Sequence, residues 1–316
     1  MEVKKPPAIC LLGPTAAGKT DFAIDIVDRL PCEIISVDSA QIYREMDIGT
    51  GKPDAATLAR APHRLIDFLD PAQAYSASAF REDALREMQS ISAAGRVPLL
   101  VGGTMLYFKA LRDGLAKMPP SDEGIRQDIL AQGQREGWAA VHAQLQTIDP
   151  DSAARIHPND PQRLQRALEV YRVSGVTMTE LHRREKEQGG QAALPFDLHF
   201  FAIQPDDRAV LHDRIARRFN GMVDQGLVAE VERLYGRGDL DLGMPSMRAV
   251  GYRQVWQHIA GEISLDAMVE QGIIATRQLA KRQITWMRSW DNLRIFNSET
   301  PETLDLLLNS ISRVAI

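Results

Sequence analysis

Residues 13–20 read G-P-T-A-A-G-K-T, which is the G-x-x-x-x-G-K-[ST] pattern of a phosphate-binding loop. The glycines let the backbone curl so that successive N–H groups point inward at an anion. Lys19 adds a point charge, and Thr20 offers a hydroxyl to a magnesium ion. The helix that starts here contributes its positive end. The flanks support this reading. Residues 8–12 are a short apolar run of the kind a buried parallel strand makes, and Phe22, Ile26, Val27 and Leu30 then fall on one helical face. A glycine turn beside an exposed lysine is the bland alternative, and strand before with helix after argues against it. Gly13, Pro14, Thr15, Ala16, Ala17, Gly18, Lys19 and Thr20 are therefore expected to bind a polyphosphate, whose identity the loop leaves open.

Working outward, residues 33–38 read E-I-I-S-V-D, a second buried strand with Asp38 at its carboxyl end. Ligands of open parallel sheets sit at that end. Asp38 follows Thr20 by 18 residues, about one strand–helix–strand repeat, so the two can share a cleft. A turn or capping aspartate is the competing explanation. Residues 41–53 are irregular, with Gly49, Gly51 and Pro53 opposing a helix, and a long loop near a site is often functional. A short strand is expected over residues 65–69. A helix is expected over 78–94, with Phe80, Ala84, Leu85, Met88 and Ile91 on one side. Residues 97–101 form another buried strand, followed by Gly102, Gly103 and Thr104. The glycines permit close backbone approach, although a plain tight turn explains them equally well.

From residue 113 the pattern becomes helical throughout. Asp160 reads as an N-cap with Pro161 at the first helical position, and Gly175 ends that helix. Leu164, Ala167, Leu168 and Tyr171 are its buried face. Thr177 and Glu180 suggest a capping box, and Gly189 and Gly190 close the segment. Strand character returns at residues 198–203. The expected fold is α/β, a P-loop NTPase-like parallel sheet flanked by helices. Residues 1–112 and 196–316 form the core, and residues 113–195 form an all-helical insertion.

A long amphipathic helix is expected over 206–236, broken at Gly221 or Gly226, with Arg208, Arg214, Arg217 and Arg218 in its first half. Arginines near a phosphate loop can clamp an anion bidentately. Another helix is expected over 272–290. At ~100° per residue, Arg277, Lys281 and Arg288 cluster on one side, with Leu279, Trp286 and Trp290 opposite. Between Arg277 and Arg294 there are five basic residues against one acid, Asp291. That stripe suits a nucleic-acid backbone, or is simply a solvated face. Residues 300–316 read as a terminal amphipathic helix.

The totals set bounds. The chain has 316 residues, 44% hydrophobic and 25% charged, with a formal net charge of -5. The acidity argues against wholesale nucleic-acid binding without excluding a local basic surface. No apolar run approaches the ~20 residues of a membrane helix, and residues 1–7 lack a signal-peptide core. Cys10 and Cys32, the only cysteines, make no disulfide framework, so a cytoplasmic location is expected. No His/Cys cluster has metal-site spacing.

Several ordered segments together resemble one family: the phosphate loop, D-S-A-Q-I-Y at 38–43, M-D-I-G-T at 46–50 and G-G-T-M-L-Y at 102–107. They are joined by H-P-N-D-P-Q-R at 157–163, R-A-V-G-Y-R at 248–253 and K-R-Q-I-T-W at 281–286. The chain closely resembles the tRNA isopentenyltransferases, the bacterial tRNA dimethylallyltransferases, from its first strand to Trp290. One departure is Gly51, where the family commonly carries Ala in G-T-A-K-P; this bears on loop flexibility rather than chemistry.

The resemblance implies transfer of a dimethylallyl group from dimethylallyl diphosphate to the adenosine amine beside the anticodon of tRNA, with Mg2+ as cofactor. It makes Asp38 and Thr104 catalytic, Thr20 the magnesium ligand and Arg217 the diphosphate clamp. It makes Asp38, Ser39, Ala40, Gln41, Thr104, Arg126, Gln162, Arg163, Leu164, Gln165 and Arg166 tRNA-contacting. So too are Arg248, Ala249, Val250, Gly251, Tyr252 and Arg253, and Lys281, Arg282, Gln283, Ile284, Thr285, Trp286, Met287 and Arg288. The implied partners are the tRNA anticodon stem-loop and dimethylallyl diphosphate, with no membrane, and the protein is expected to be a monomer. The rivals are a small-molecule kinase, which would consume ATP and ignore tRNA, and an RNA-binding switch, which would form no alkylated product.

Overall fold

The computed structural model describes residues 5–187 and 194–315. In chain order the first elements are β1 (Pro7–Leu12), α1 (Lys19–Arg29), β2 (Cys32–Val37), α2 (Ala55–Arg60), β3 (His63–Arg64), α3 (Ala77–Ala93), β4 (Val97–Gly102) and α4 (Met105–Asp113). Next come α5 (Glu123–Glu136), α6 (Trp138–Ile148), α7 (Pro150–Arg155), α8 (Pro161–Ser174) and α9 (Met178–Glu187). The chain then runs through β5 (Asp197–Gln204), α10 (Arg208–Asp224), α11 (Leu227–Tyr235), α12 (Tyr252–Ile259), α13 (Leu265–Met287), β6 (Arg294–Asn297) and α14 (Thr303–Ala315). Two compact units result: Met1–Asp113 with Leu194–Ile316, and Gly114–Ala193.

The first unit is built on a parallel sheet with strand order β3-β2-β4-β1-β5-β6. Side chains of a strand alternate between faces, so β1 feeds two cores. Ala8, Cys10 and Leu12 pack with Phe80, Met88 and Phe108. Ile9 and Leu11 pack on the other face with Ala23, Ile26, Leu307 and Ile311. Burial on both faces is why β1 and β4 read as unbroken apolar runs. A third cluster joins Ile42, Tyr43 and Met46 to Phe219, Leu227, Val231, Tyr252 and Met268.

Register decides what meets at the sheet's carboxyl edge. Leu12 and Val37 both pair with Gly102. The next residues, Gly13, Asp38 and Gly103, therefore leave the sheet side by side, although the sequence separates them widely.

Within the second unit, α5, α6 and α8 enclose Ile129, Val141, Leu145, Leu164 and Leu168. The Asp160 side chain accepts from Arg163 N at 3.2 Å, and Gly175 caps the helix in the left-handed region at φ 70°. The capping box at Thr177 is only half formed. The Thr177 hydroxyl accepts Glu180 N at 3.2 Å, but the Glu180 carboxylate turns to Arg183 and Arg184. Paired cations hold a carboxylate more strongly than a single backbone N–H. Gly189 and Gly190 lie outside the described residues.

Other expectations are corrected. Residues 65–69 are not a strand, because Leu65 and Asp67 have φ of 58° and 56°; the sheet's edge is instead β3, paired to Ile34 and Ile35. The long helix at 206–236 breaks at Gly226, where φ is 102°, and not at Gly221. The helix carrying the basic stripe starts earlier than its apolar pattern suggested, at a cap in which Ser264 accepts Ala267 N at 3.2 Å. Its buried face centres on Ala280, Gln283 and Met287, while Leu279 and Trp286 are half-buried flanks. Trp290, beyond the helix, is buried under the Arg112 guanidinium, 4.2 Å from the ring centroid. Arg277 is half-buried and does not belong to the exposed stripe.

Candidate active site

The phosphate loop follows β1 because nothing but glycine fits there: a Cβ on Gly13 would collide with the Ile203 carbonyl. Gly18 turns into α1 with φ 88°. The Lys19 ammonium folds back to donate to Pro14 O at 2.7 Å. It faces a cavity of about 170 Å3 shared with Thr15, Ala16, Thr20, Asp38 and Arg218. Enclosure by protein, and then the Arg218 charge, lower the Lys19 pKa to about 8, with Asp38 opposing them. Two cations facing one cavity, each with its charged form disfavoured by the surrounding protein, are electrostatically prepared for an anion.

Asp38 turns out to be both a turn aspartate and a cavity residue. Its Oδ1 accepts from Ala40 N at 2.8 Å and Gln41 N at 3.2 Å, while Oδ2 has no hydrogen-bond partner among the described residues. Thr104 stands outside the cavity lining. Its hydroxyl accepts Ser39 N at 3.1 Å, and its backbone N–H donates to Val37 O at 3.2 Å. Thr104 therefore fixes the segment that presents Asp38. Gln41 lines the cavity and donates to Gly51 O at 3.1 Å.

The irregular loop at 41–53 is firmly tied. The buried Glu230 carboxylate accepts N–H groups from Asp47, Ile48 and Gly49 at 3.0, 2.8 and 3.1 Å, and the Tyr252 hydroxyl at 2.5 Å. Four donors compensate the charge's desolvation. Lys52 joins Asp47 and Asp67 at 2.5 and 2.7 Å.

Arg217 lines, with Arg214 and Arg218, a cleft against Ala16, Ala17 and Gly18 of the phosphate loop, and not the cavity that holds Lys19 and Asp38. It is exposed and paired with Asp213 at 2.7 Å. Its neighbour Arg218 is also exposed but lines the cavity, where desolvation by the surrounding protein depresses its pKa while Asp38 and Asp21 support its charge. One residue on a helix is ~100° of rotation, which sequence pattern alone left undetermined. A Cβ on Gly51 would collide with the Arg218 guanidinium, so the departure at residue 51 bears on where that side chain sits as well as on loop flexibility.

Of the residues marked for tRNA, Gln162, Arg163, Arg248, Arg253, Lys281, Arg282, Thr285 and Arg288 are exposed. Arg126, Gln165, Arg166, Ile284 and Trp286 are half-buried; Arg166 pairs with Glu169 at 2.8 Å and Gln165 donates to Arg126 O at 2.7 Å. Ser39 is exposed, and Ala40, Ala249 and Val250 line the cavity. Leu164, Gly251, Tyr252, Gln283 and Met287 are buried, so their place in the motifs reflects packing rather than RNA contact. Leu164 is core in the helical unit, and Tyr252 belongs to the Glu230 clasp. Gln283 accepts Thr15 N and donates to Gly103 O, each at 2.9 Å.

Sequence reasoning named Arg218 among four arginines but singled out its neighbour Arg217, and it missed the apolar wall of Ile215, Phe219, Met222 and Leu279. The i, i+4, i+7 spacing of Ile215, Phe219 and Met222 was a legible signal, but it reads equally as ordinary core. For magnesium, no group of three His, Cys, Asp or Glu side chains among the described residues could hold a metal ion. Thr20 lies on the cavity with no protein partner for its hydroxyl among those residues. One hydroxyl beside an anion site suits magnesium, which takes most of its ligands from phosphate and water.

Comparison with known proteins agrees with this geometry. A family model described as IPP transferase matches residues 41–290, and one described as isopentenyl transferase matches residues 7–70. A tRNA isopentenylpyrophosphate transferase from Bacillus halodurans is 34% identical with a TM-score of 0.72, covering 98% of this chain and 97% of that one. A tRNA delta(2)-isopentenylpyrophosphate transferase from Staphylococcus epidermidis is 33% identical with a TM-score of 0.69, covering 98% of each chain. A eukaryotic dimethylallyltransferase acting on tRNA shares the fold, with a TM-score of 0.79 at 22% identity, covering 98% of this chain and 79% of that one. With a family model over most of its length and relatives a third identical from end to end, this chain belongs to the isopentenylpyrophosphate transferase family and is a prenyl-transferring enzyme.

Proposed function

We infer that the enzyme transfers the dimethylallyl group of dimethylallyl diphosphate to the exocyclic N6 amine of the adenosine 3′-adjacent to the anticodon of tRNA, releasing diphosphate. The observation that carries this is one cavity combining a phosphate loop, two cations, a carboxylate and an apolar wall. The kinase and RNA-switch readings fall away with the family.

The chemistry follows from the lining. The allylic C–O bond breaks as the N6–C bond forms, and negative charge grows on the leaving diphosphate. Lys19, Arg218 and the N–H groups at the start of α1 are suited to stabilise that charge. Magnesium, held through Thr20 and the diphosphate oxygens, would neutralise part of it. Ile215, Phe219, Met222 and Leu279 offer the five-carbon chain an apolar wall, which also excludes water from an electrophilic carbon. An adenine amine is a weak nucleophile because its lone pair is shared with the ring. Asp38, with Oδ2 uncommitted, is suited to accept its proton as the bond forms.

The base must leave its stack to reach such a cavity, so an anticodon loop is a less costly target than a duplex. Lys281, Arg282, Arg288 and Arg253 in the core unit, and Arg163 in the helical unit, are exposed cations available to RNA phosphates. Among the described residues no helix is long and apolar enough to cross a membrane; that and a tRNA substrate support a cytoplasmic location. The test is incubation with labelled dimethylallyl diphosphate, magnesium and unmodified tRNA, followed by nucleoside analysis. Prenylated adenosine is expected. Its absence, with phosphorylation of a metabolite instead, overturns the reading.

A further inference from the structure

We propose that Gln283 is a positioning residue that links the RNA-facing side of α13 to the diphosphate loop, so that seating one substrate tightens the seat of the other. This rests on the prenyl-transfer reading above. Gln283 is 8% exposed, and both the oxygen and the nitrogen of its amide are engaged. Oε1 accepts the N–H of Thr15 at 2.9 Å, and Nε2 donates to the Gly103 carbonyl at 2.9 Å. A Cβ on Gly103 would collide with that Nε2. The second glycine of the Gly102-Gly103 pair is therefore needed for the amide to approach.

Thr15 lies inside the phosphate loop, where backbone N–H groups otherwise aim at an anion. Gln283 takes this one, so the donor must be held by the loop's other amides, in a shape the glutamine maintains. Gly103 leads to Thr104, whose hydroxyl holds Ser39 beside Asp38. One side-chain amide thus touches both the donor loop and the loop that fixes the base-side carboxylate.

Two residues before Gln283 on the same continuous helix is Lys281; Arg282 adjoins it, and Arg288 follows, all three exposed. RNA phosphates gripping that side fix the position of α13, and Gln283 moves with the helix as a rigid body. Rigid helices and hydrogen bonds with two arrangements are what carry coupling between sites, and such coupling is reciprocal in binding.

The experiment uses the full chain in magnesium buffer and measures the affinity for inorganic diphosphate with and without a saturating anticodon stem-loop RNA. The reciprocal titration of RNA with and without diphosphate is run beside it. For the unaltered protein each ligand is expected to tighten the other by at least ~5-fold, by the same factor in both directions. Gln283→Met keeps the volume but removes both hydrogen bonds. Gly103→Ala keeps the glutamine but drives its amide away. Both are expected to bind RNA alone within about 2-fold of the unaltered protein and to lose the mutual tightening. Thermal melting identifies a variant that has not folded, and the other then carries the test. Retention of the full factor in either folded variant overturns the proposal, as does a factor of one in the unaltered protein. Failure of the prenyl-transfer reading shows itself separately, as no prenylated nucleoside from the unaltered enzyme.

Discussion

The guanidinium of Arg218 fills the place that a side chain at Gly51 would occupy. Gly51 has φ 61°, and its carbonyl is held by Gln41. The missing side chain at Gly51 therefore leaves the space that the Arg218 guanidinium takes beside the loop.

Gly51→Ala is expected to push the guanidinium off the loop and raise KM for dimethylallyl diphosphate by roughly 3- to 10-fold, a loss of about 1 kcal/mol in donor binding. The left-handed backbone adds a stability cost of about 1 kcal/mol. Arg218→Ala should exceed that loss, because a charge-assisted contact disappears. Arg217→Ala should stay within about 2-fold, its exposed pairing with Asp213 contributing little. Steady-state kinetics on the three variants check the assignment, and a larger effect at Arg217 than at Arg218 would reverse it.

Asp38 has two tasks, and two substitutions separate them. Asp38→Asn keeps an oxygen for Ala40 N and Gln41 N but cannot take a proton, so transfer should fall by about 10²-fold or more. The tRNA affinity should change by less than about 3-fold. Asp38→Ala should lose transfer too, with a further stability cost of about 1 kcal/mol from the uncapped turn. Single-turnover transfer and filter binding on the same preparations distinguish these effects. Full activity in the Asn variant would remove Asp38 from proton transfer.

Lys19 sets a pH limit. In the free enzyme its pKa is lowered to about 8 by burial and by Arg218, whereas bound diphosphate favours the charged form. Donor affinity should be level below that pH and weaken above it. The fall in kcat/KM for the donor should approach tenfold per pH unit, as expected for loss of one proton. The sign for stability is opposite. The unfolded chain retains this proton above the folded pKa, so the Lys19 contribution to stability rises from about pH 8 towards the ordinary lysine value. A pH profile in which Lys19→Ala keeps the same alkaline limb would assign that limb to another group.

The exposed cations of α13 are expected to act through phosphates. Reversing Lys281 and Arg288 to Glu should weaken tRNA binding and make its dependence on salt shallower by roughly one unit per lost contact. Arg277→Glu probes the half-buried position beside them and should act mainly on stability. Salt titrations of tRNA affinity test the pair, and an unchanged slope would leave the stripe as a solvated face.

By itself, the sequence determined what local rules govern. The anion loop between strand and helix followed from glycine spacing and apolar runs. Asp38 at a strand end, the capped helix starting at Pro161, and the helical insertion between two stretches of sheet followed likewise. These depend on residues a few positions apart, whose geometry the backbone fixes. Tertiary structure alone decided that Arg218 reaches the cavity of Lys19 and Asp38 while its neighbour Arg217 pairs with Asp213, and it set the register that brings Gly13, Asp38 and Gly103 to one edge. It also decided the burial of Leu164, Tyr252 and Gln283 inside segments that read as RNA-contacting. Each of those depends on which distant surface a helix packs against, and no window of sequence contains that surface.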